Sequence, residues 1–133
     1  MKNIFIGLLI LTLSNISLAE SNIEKSAFLV NKVKEISEIE KQINDLVKKS
    51  QTTEMNEKQQ LETICKQRLL IEKKAIIFTE LAYSETIKED PVLKNRKNDY
   101  IRESEKLRET VLLLDQITIK DYKKPLYQVC KEI

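Results

Sequence analysis

The side chains that could perform chemistry in this chain are carboxylates, hydroxyls and two cysteines, and the usual base that would activate them is missing. The sequence contains 21 Asp and Glu residues but no His. Serine and cysteine triads of the usual kind need a His as base, and the di-metal sites of helical bundles use Glu-x-x-His pairs. Ser104 therefore lacks an activating partner, and we expect it to fill a small space between packed helices.

Catalysis by carboxylates or by a bound cofactor finds no specific support either. Two carboxylates could act as acid and base on a sugar, but 21 acidic residues spread along helices single out no pair. The only Gly is Gly7, so the remainder of the chain cannot form the glycine-rich loops that hold phosphates or dinucleotides. We predict a protein that is not an enzyme and that has no cofactor or metal ion.

The two cysteines, Cys65 and Cys130, are predicted to form a disulfide. Two free thiols or a metal-binding pair are the alternatives. Zinc needs about four ligands, and no His or further Cys completes such a set. A redox motif would place its cysteines close together, whereas these are far apart in sequence. On the chain-entropy model, closing so long a loop stabilises the fold by about 4 kcal/mol.

The first 19 residues have the layout of a cleavable export signal. Lys2 precedes an apolar run over residues 4–13, and Ser17 and Ala19 are small residues at the −3 and −1 positions of a cut before Glu20. An uncleaved membrane anchor is the competing interpretation, but a span needs about 20 consecutive apolar residues and this run is shorter. We expect residues 1–19 to be removed, residues 20–133 to form one domain, and the product to be periplasmic or secreted without a stable membrane anchor.

The charge of the remaining chain is nearly balanced, which argues against nucleic acid as a partner. Lys2 is the only charged residue among the first 19, so residues 20–133 carry 22 basic and 21 acidic side chains. Binding to a phosphate backbone requires clustered and unbalanced cations. The densest basic stretch, at residues 94–97, is followed closely by acidic residues, so we interpret it as a solvated helix face.

Hydrophobic periodicity predicts four helices. We expect them over residues 22–49, 54–88, 91–115 and 122–132, with a polar break at residues 50–53 and a boundary at Asp90-Pro91. The predicted apolar stripes are Ile36, Ile39, Ile43 and Leu46 in the first helix; Leu61, Ile64, Ile71, Ala75, Phe78 and Ala82, with a second stripe of Cys65, Leu69, Ile76, Tyr83 and Ile87, in the second; and Leu93, Tyr100, Leu107, Val111 and Leu114 in the third.

These elements predict an all-α fold: an antiparallel three-helix bundle with a short C-terminal fourth helix tied back by Cys65–Cys130. The second helix is apolar nearly all round between Leu69 and Phe78, so we expect it in the middle of the bundle. We expect the tail from Tyr122 onward to cover the apolar surface that two neighbouring helices leave open.

The candidate functional surface is the rim where this tail meets the bundle. Tyr122, Lys123, Lys124 and Tyr127 are its predicted partner-binding residues, because Tyr combines contact area with a polar tip and is common at recognition surfaces. We expect Tyr83 and Tyr100 to pack in the core. Arg68, on the apolar stripe, should extend its charged head into water.

The function expected from these features is binding of another protein without catalysis. An inhibitor or immunity protein that neutralises an envelope-acting toxin or hydrolase fits the size, the export signal and the missing catalytic residues. The alternative is a periplasmic chaperone or a structural subunit of a secretion or conjugation apparatus. Long amphipathic helices also suit a homo-oligomer.

Overall fold

The structure, a computed structural model, describes residues 27–133, and every regular element in this part of the chain is helical. The predicted export signal and the start of the first predicted helix lie outside the described residues. The helices are α1 (Ala27–Thr52), α2 (Glu57–Ala82), α3 (Glu85–Glu89), a 3₁₀ turn (Leu93–Arg96), α4 (Lys97–Ile117), α5 (Ile119–Tyr122) and α6 (Leu126–Glu132).

Helix α1 buries the predicted isoleucine stripe but continues beyond its predicted end. Ile36, Ile39 and Ile43 are buried, and Val47 rather than the half-buried Leu46 completes the stripe. The predicted break at residues 50–53 lies too early, because hydroxyl side chains there bond back into the helix. Ser50 Oγ donates to the carbonyl of Leu46 at 2.9 Å. This bond satisfies the hydroxyl within the helix, so the polar segment does not need to leave the helix to find a partner.

Helix α2 begins at a capping box and ends earlier than predicted. The Asn56 side chain accepts a hydrogen bond from the backbone N–H of Gln59 at 2.8 Å, and the Gln59 side chain accepts one from Asn56 N–H at 3.0 Å. The prediction that this helix continues to residue 88 is wrong. Ser84 leaves the helical path and its Oγ accepts from Ile87 N–H at 3.2 Å, which starts the separate helix α3.

The Asp90-Pro91 boundary acts as a cap, although the regular helix begins later. Asp90 Oδ1 accepts hydrogen bonds from the backbone N–H groups of Val92 at 2.8 Å and Leu93 at 3.0 Å. A turn and the 3₁₀ segment follow, so α4 starts at Lys97 rather than at residue 91. The predicted stripe is confirmed, since these side chains are buried: Leu93, Tyr100, Leu107, Val111 and Leu114.

The helices form the predicted bundle, with α2 packed between α1 and α4. Ion pairs show that α1 and α2 are antiparallel, because Lys32 pairs with Glu80 and Glu40 pairs with the buried Lys74 at 3.0 Å. The α2–α4 interface holds the ring pair Phe78–Tyr100, with centroids 6.1 Å apart. One continuous core includes Leu29, Ile36, Ile43, Ile64, Ile71, Phe78, Leu81, Ile87, Leu107, Leu114 and Leu126.

Two predictions about the surface of α2 are wrong. Tyr83 does not pack in the core, since its exposed fraction is 64%. The tail does not cover the apolar surface between Leu69 and Phe78, because Leu69 is 52% and Ile76 is 44% exposed. Helix α4 ends opposite Arg68, and the short connection that follows therefore delivers α6 to the N-terminal half of α2. Of the second apolar stripe, Leu69, Ile76 and Tyr83 are left facing solvent, whereas Ile87 is buried.

None of the helices within residues 27–133 combines the length and the apolar character needed to span a bilayer.

Candidate partner-binding surface

In the connection from α4 to α6, a side-chain hydrogen bond to the backbone and a left-handed residue fix the direction of the tail. Thr118, fully buried, donates from Oγ1 to the carbonyl of Lys124 at 2.8 Å. Lys123 caps α5 in the left-handed conformation, with φ 59°. Glycine usually takes this position, and a residue with a Cβ is held there at a cost of about 1 kcal/mol. The tail is thus turned sharply and held in one path across the bundle.

The ion pair between Arg68 and Asp115 anchors this path to the bundle. Arg68 donates from Nε and from one terminal nitrogen to the two carboxylate oxygens of Asp115, at 2.8 and 3.0 Å, and from the other nitrogen to Glu72 at 2.8 Å. The hydrogen bonds to Asp115 raise the pKa of the Arg68 guanidinium above its already high usual value. The head of Arg68 is therefore paired, and the expectation that water surrounds it is wrong.

Asp115 also caps helix α6 from outside that helix. The residue at the cap position is Pro125, which has no side chain able to accept a hydrogen bond. Asp115 Oδ1 accepts the backbone N–H of Tyr127 at 3.0 Å. A carboxylate at a helix N-terminus also meets the positive end of the helix dipole. One side chain of α4 therefore holds both α2, through Arg68, and α6, through Tyr127.

Tyr127 lies next to the Arg68–Asp115 ion pair. Its aromatic ring is exposed and close to two cations. Its exposed fraction is 41%. The guanidinium carbon of Arg68 lies 5.8 Å from the ring centroid and Nζ of Lys131 lies 5.9 Å from it. Cations at this distance attract the electron-rich face of the ring. The side chain is positioned before any partner arrives.

Tyr122 also lies on the tail, but its side chain is bound to α2 and is not free in solvent. It is half-buried, and its hydroxyl donates to Oε1 of Glu57 in the first turn of α2. That hydrogen bond, with burial and the negative charge of Glu57, raises the pKa of the Tyr122 phenol to about 12. The predicted pair of tyrosines therefore divides into one that locks the tail to α2 and one that faces solvent.

The two lysines of the predicted site differ in the same way. Lys123 is exposed, while Lys124, also exposed, is bound through Nζ to both carboxylate oxygens of Glu132 at 2.8 and 2.9 Å. Residues 118–133 contain four Lys but only one Asp and one Glu. The solvent side of the tail therefore carries an excess of basic side chains beside the exposed ring of Tyr127.

The predicted disulfide is present and links the tail covalently to α2. Cys65 and Cys130 are bonded, with their Cα atoms 5.7 Å apart. Cys65 lies one turn before Arg68 on α2, so the covalent bond and the ion pair hold neighbouring points of the tail. Leu126 and Val129 add the apolar contact, since both are buried beneath α6.

Ser104, the remaining residue considered for chemistry, has a structural role in helix packing. Ser104, as expected, lies between packed helices: it is buried, donates to the carbonyl of Ala75 at 2.9 Å and lies 2.7 Å from the hydroxyl of Thr79. Among residues 27–133, no group of three or more potential metal ligands converges on one point.

Tyr122, Lys123, Lys124 and Tyr127 all lie on the tail, with Tyr122 against Glu57 and Tyr127 against Arg68 and Asp115. The sequence did not single out Glu57 or Asp115, and the role of Arg68 as a partner that holds the tail was not predicted. A signal for the ion pair was present, because an antiparallel hairpin turning at Asp90 places residue 115 opposite the turn of α2 that contains Cys65. An Arg and an Asp at facing positions of two helices predict an ion pair.

Comparisons of this chain with family models, with curated proteins and with solved structures each find no significant match, so the proposal that follows rests on the described residues and on the sequence.

Proposed function

We propose that this protein is exported and binds another protein without catalysis, using the tail surface formed by Tyr122, Lys123, Lys124 and Tyr127 together with Arg68 and Lys131. Inhibition of an envelope-acting toxin or hydrolase, as an inhibitor or immunity protein, is the role that we favour. The observation that carries the proposal is Tyr127, whose backbone N–H is bound by Asp115 and whose exposed ring lies close to two cations.

Preorganisation is the reason that this observation favours recognition. Ordering a flexible side chain on binding costs about 0.5–1.5 kcal/mol, and a ring that is already fixed avoids most of that cost. Tyr and Arg are also the residue types most often found where a few side chains dominate an interface. The lysines around the ring favour a partner with acidic side chains at the contact, because complementary charge speeds and orients association.

Export is supported by the sequence of residues 1–19 and by the disulfide, since such bonds persist in oxidising compartments. N-terminal sequencing of the protein recovered from outside the cytoplasm should begin at Glu20. Recovery of the chain with Met1 intact from the membrane fraction would instead favour the uncleaved anchor.

The binding proposal is tested by site-specific photocrosslinking in cells, followed by affinity measurements. A photoreactive residue at position 127 should crosslink one acidic partner in high yield. With that partner purified, Tyr127→Ala should weaken binding by about 100-fold, which corresponds to roughly 2.8 kcal/mol for a dominant interface residue. Tyr127→Phe should retain most of the affinity.

Tyr83 provides the matched control. It is also an exposed tyrosine beneath a cation, with Lys97 Nζ 4.8 Å from its ring, but it lies at the far end of α2. Tyr83→Ala should therefore leave the affinity unchanged. Equal losses for the two variants, or no loss for Tyr127→Ala, would contradict the tail surface as the binding site.

The chaperone or structural-subunit alternative has one specific observation in its favour: Leu69 and Ile76 remain exposed on α2. Exposed apolar surface is what a chaperone offers to unfolded clients. The two roles differ in stoichiometry. A single partner bound in a fixed ratio favours the inhibitor, whereas suppression of aggregation of several unrelated unfolded proteins favours the chaperone.

A further inference from the structure

The outer face of the α1–α2 pair carries an apolar groove that the tail leaves open. Two adjoining depressions of ≈ 320 and ≈ 430 Å³ form it, and both are lined by Gln42 and Lys73. The remaining lining residues include the apolar side chains Ile39, Leu46, Leu69, Leu70, Ile76 and Ile77. The groove extends from Glu35 to Lys49 of α1, which is roughly 21 Å at 1.5 Å per helical residue.

The charges along this groove are unevenly distributed. Glu35 and Glu38 line one end, and Lys49 and Lys66 line the other together with Asp45. The ion pairs Lys32–Glu80 and Glu40–Lys74 set the register of the two antiparallel helices and place Gln42 and Lys73 near the middle. The exposed side chains Leu69 and Ile76 lie on either side of that middle, at nearly equal distances along α2.

We propose that a second copy of this chain docks on this face, related by a two-fold axis that passes close to Gln42 and Lys73. A two-fold interface uses the same patch on both copies, so the patch must complement itself after reversal. Reversal about this axis places Leu69 on Ile76 of the second copy. It also places Lys49 opposite Glu35 at both ends of the interface, and it brings Lys66 near Glu80, whose carboxylate already pairs with Lys32 of its own chain.

Self-complementarity is the reason that the occupant is a second copy. One axis satisfies the apolar pair and the Lys49–Glu35 ion pair at once, and its position follows from the register of α1 and α2. Lys73 faces its own copy at the axis, and Asp45 faces Glu38, so like charges meet at both places and weaken the interface. The dimer should therefore be reversible and concentration-dependent, and added salt should weaken it because exposed ion pairs are screened.

Sedimentation equilibrium over a wide concentration range, on the disulfide-bonded protein, tests the proposal through charge reversal. In Lys49→Glu, two Glu residues oppose each other at both ends of the interface, and in Glu35→Lys two Lys residues do so. Each variant alone should dissociate with a Kd raised by about tenfold, from two affected pairs that each contribute up to about 1 kcal/mol. An equimolar mixture of the two variants should recover the dimer, because opposite charges again face each other.

Three controls separate this interface from other causes of association. Leu69→Glu should abolish the dimer, whereas Glu109→Lys, an exposed reversal on α4, should leave it unchanged. Circular dichroism checks that each variant folds.

A wild-type protein that stays monomeric at millimolar concentration, or a variant mixture that stays as dissociated as its components, would overturn the proposal. Tyr127→Ala should dimerise normally, so failure here leaves the proposed tail surface untouched.

Discussion

At the scale of single residues, the tail is held by side chains whose importance depends on what they face. Asp115 would be an ordinary acidic residue of an amphipathic helix if Arg68 and the Tyr127 N–H did not converge on it. Tyr122 would be an ordinary surface aromatic residue if Glu57 did not accept the hydrogen bond from its hydroxyl. Both pairings join residues that are far apart in the chain, and both position groups of the proposed binding surface.

The titration of Tyr122 gives a pH-dependent test of this bracing. Its folded pKa of about 12 exceeds the ordinary value of 10.0, because the protonated phenol donates to the Glu57 carboxylate. A raised pKa means that the hydrogen bond contributes fully below pH 10 and is lost as the pH rises from about 10 to about 12. Phenolate absorbance should therefore include a component, belonging to Tyr122, that ionises later in the native protein than in urea.

Two variants check this assignment. Tyr122→Phe should remove the late component, and Glu57→Gln should lower the Tyr122 pKa toward about 10, the value for an unperturbed tyrosine. Circular dichroism at each pH confirms that the bundle is still folded. A late component that Tyr122→Phe leaves unchanged in amplitude would not come from Tyr122 and would contradict the contact.

At the scale of elements, α6 is too short to form alone and depends on contacts from α2 and α4. It contains seven residues, and isolated helices below about 12 residues are marginal in water. Leu126 and Val129 bury its apolar side, Asp115 caps its start and Cys130 ties it to Cys65. The helix that presents Tyr127 is thus a product of tertiary structure.

Asp115→Ala tests this dependence. The substitution removes the cap of α6 and both carboxylate contacts of Arg68, so we expect the free energy of unfolding to fall by about 2–3 kcal/mol. Asp115→Asn, which keeps an acceptor for the Tyr127 N–H, should lose only about 1 kcal/mol. Urea denaturation measures both values, and hydrogen exchange at the Tyr127 amide should accelerate in the Ala variant.

Glu72→Ala is the matched control for the ion pair. Glu72 also binds Arg68, at 2.8 Å, but its side chain is 45% exposed and takes no part in capping. An exposed pair of this kind contributes less than about 1 kcal/mol, so this variant should be close to wild type. A loss as large as that of Asp115→Ala would show that the charge of Arg68, and not the cap, dominates.

At the scale of the whole molecule, the bundle is a central helix with one neighbour on each side and a tail across one end. Helix α2 contacts α1, α4 and α6. Its first stripe forms the core, and its second stripe remains exposed at Leu69, Ile76 and Tyr83. The two surfaces that we propose for association are therefore distinct: the basic tail with Tyr127, and the apolar groove between α1 and α2.

Removal of the disulfide tests how the tail contributes to global stability. Replacing both Cys65 and Cys130 by Ser opens a loop with a sequence separation of 65, and the chain-entropy model predicts a loss of about 4 kcal/mol in unfolding free energy. Hydrogen exchange should increase most in α5 and α6, while the α1–α2 interface remains protected. An unchanged urea midpoint with an unchanged exchange pattern in the tail would contradict this role of the bond.

The sequence by itself determined the all-helical class, the stripes of α1 and α4, the Asp90 boundary and the disulfide pairing. These features follow from local spacing, from caps and from a cysteine count that allows one pair. The end of α2 was missed, because Ser84 can continue a helix or cap the next one, and the choice depends on whether Ile87 reaches the core.

Only the tertiary structure decided which of the two apolar stripes of α2 is covered. Both stripes have helical spacing, so periodicity cannot rank them. The outcome depends on where α4 ends and in which direction the connection through Thr118 and Lys123 sends the chain, and this direction is set by contacts distant in sequence. The tail therefore packs beside Cys65 and Arg68, and Leu69 and Ile76 remain exposed because no described element reaches them.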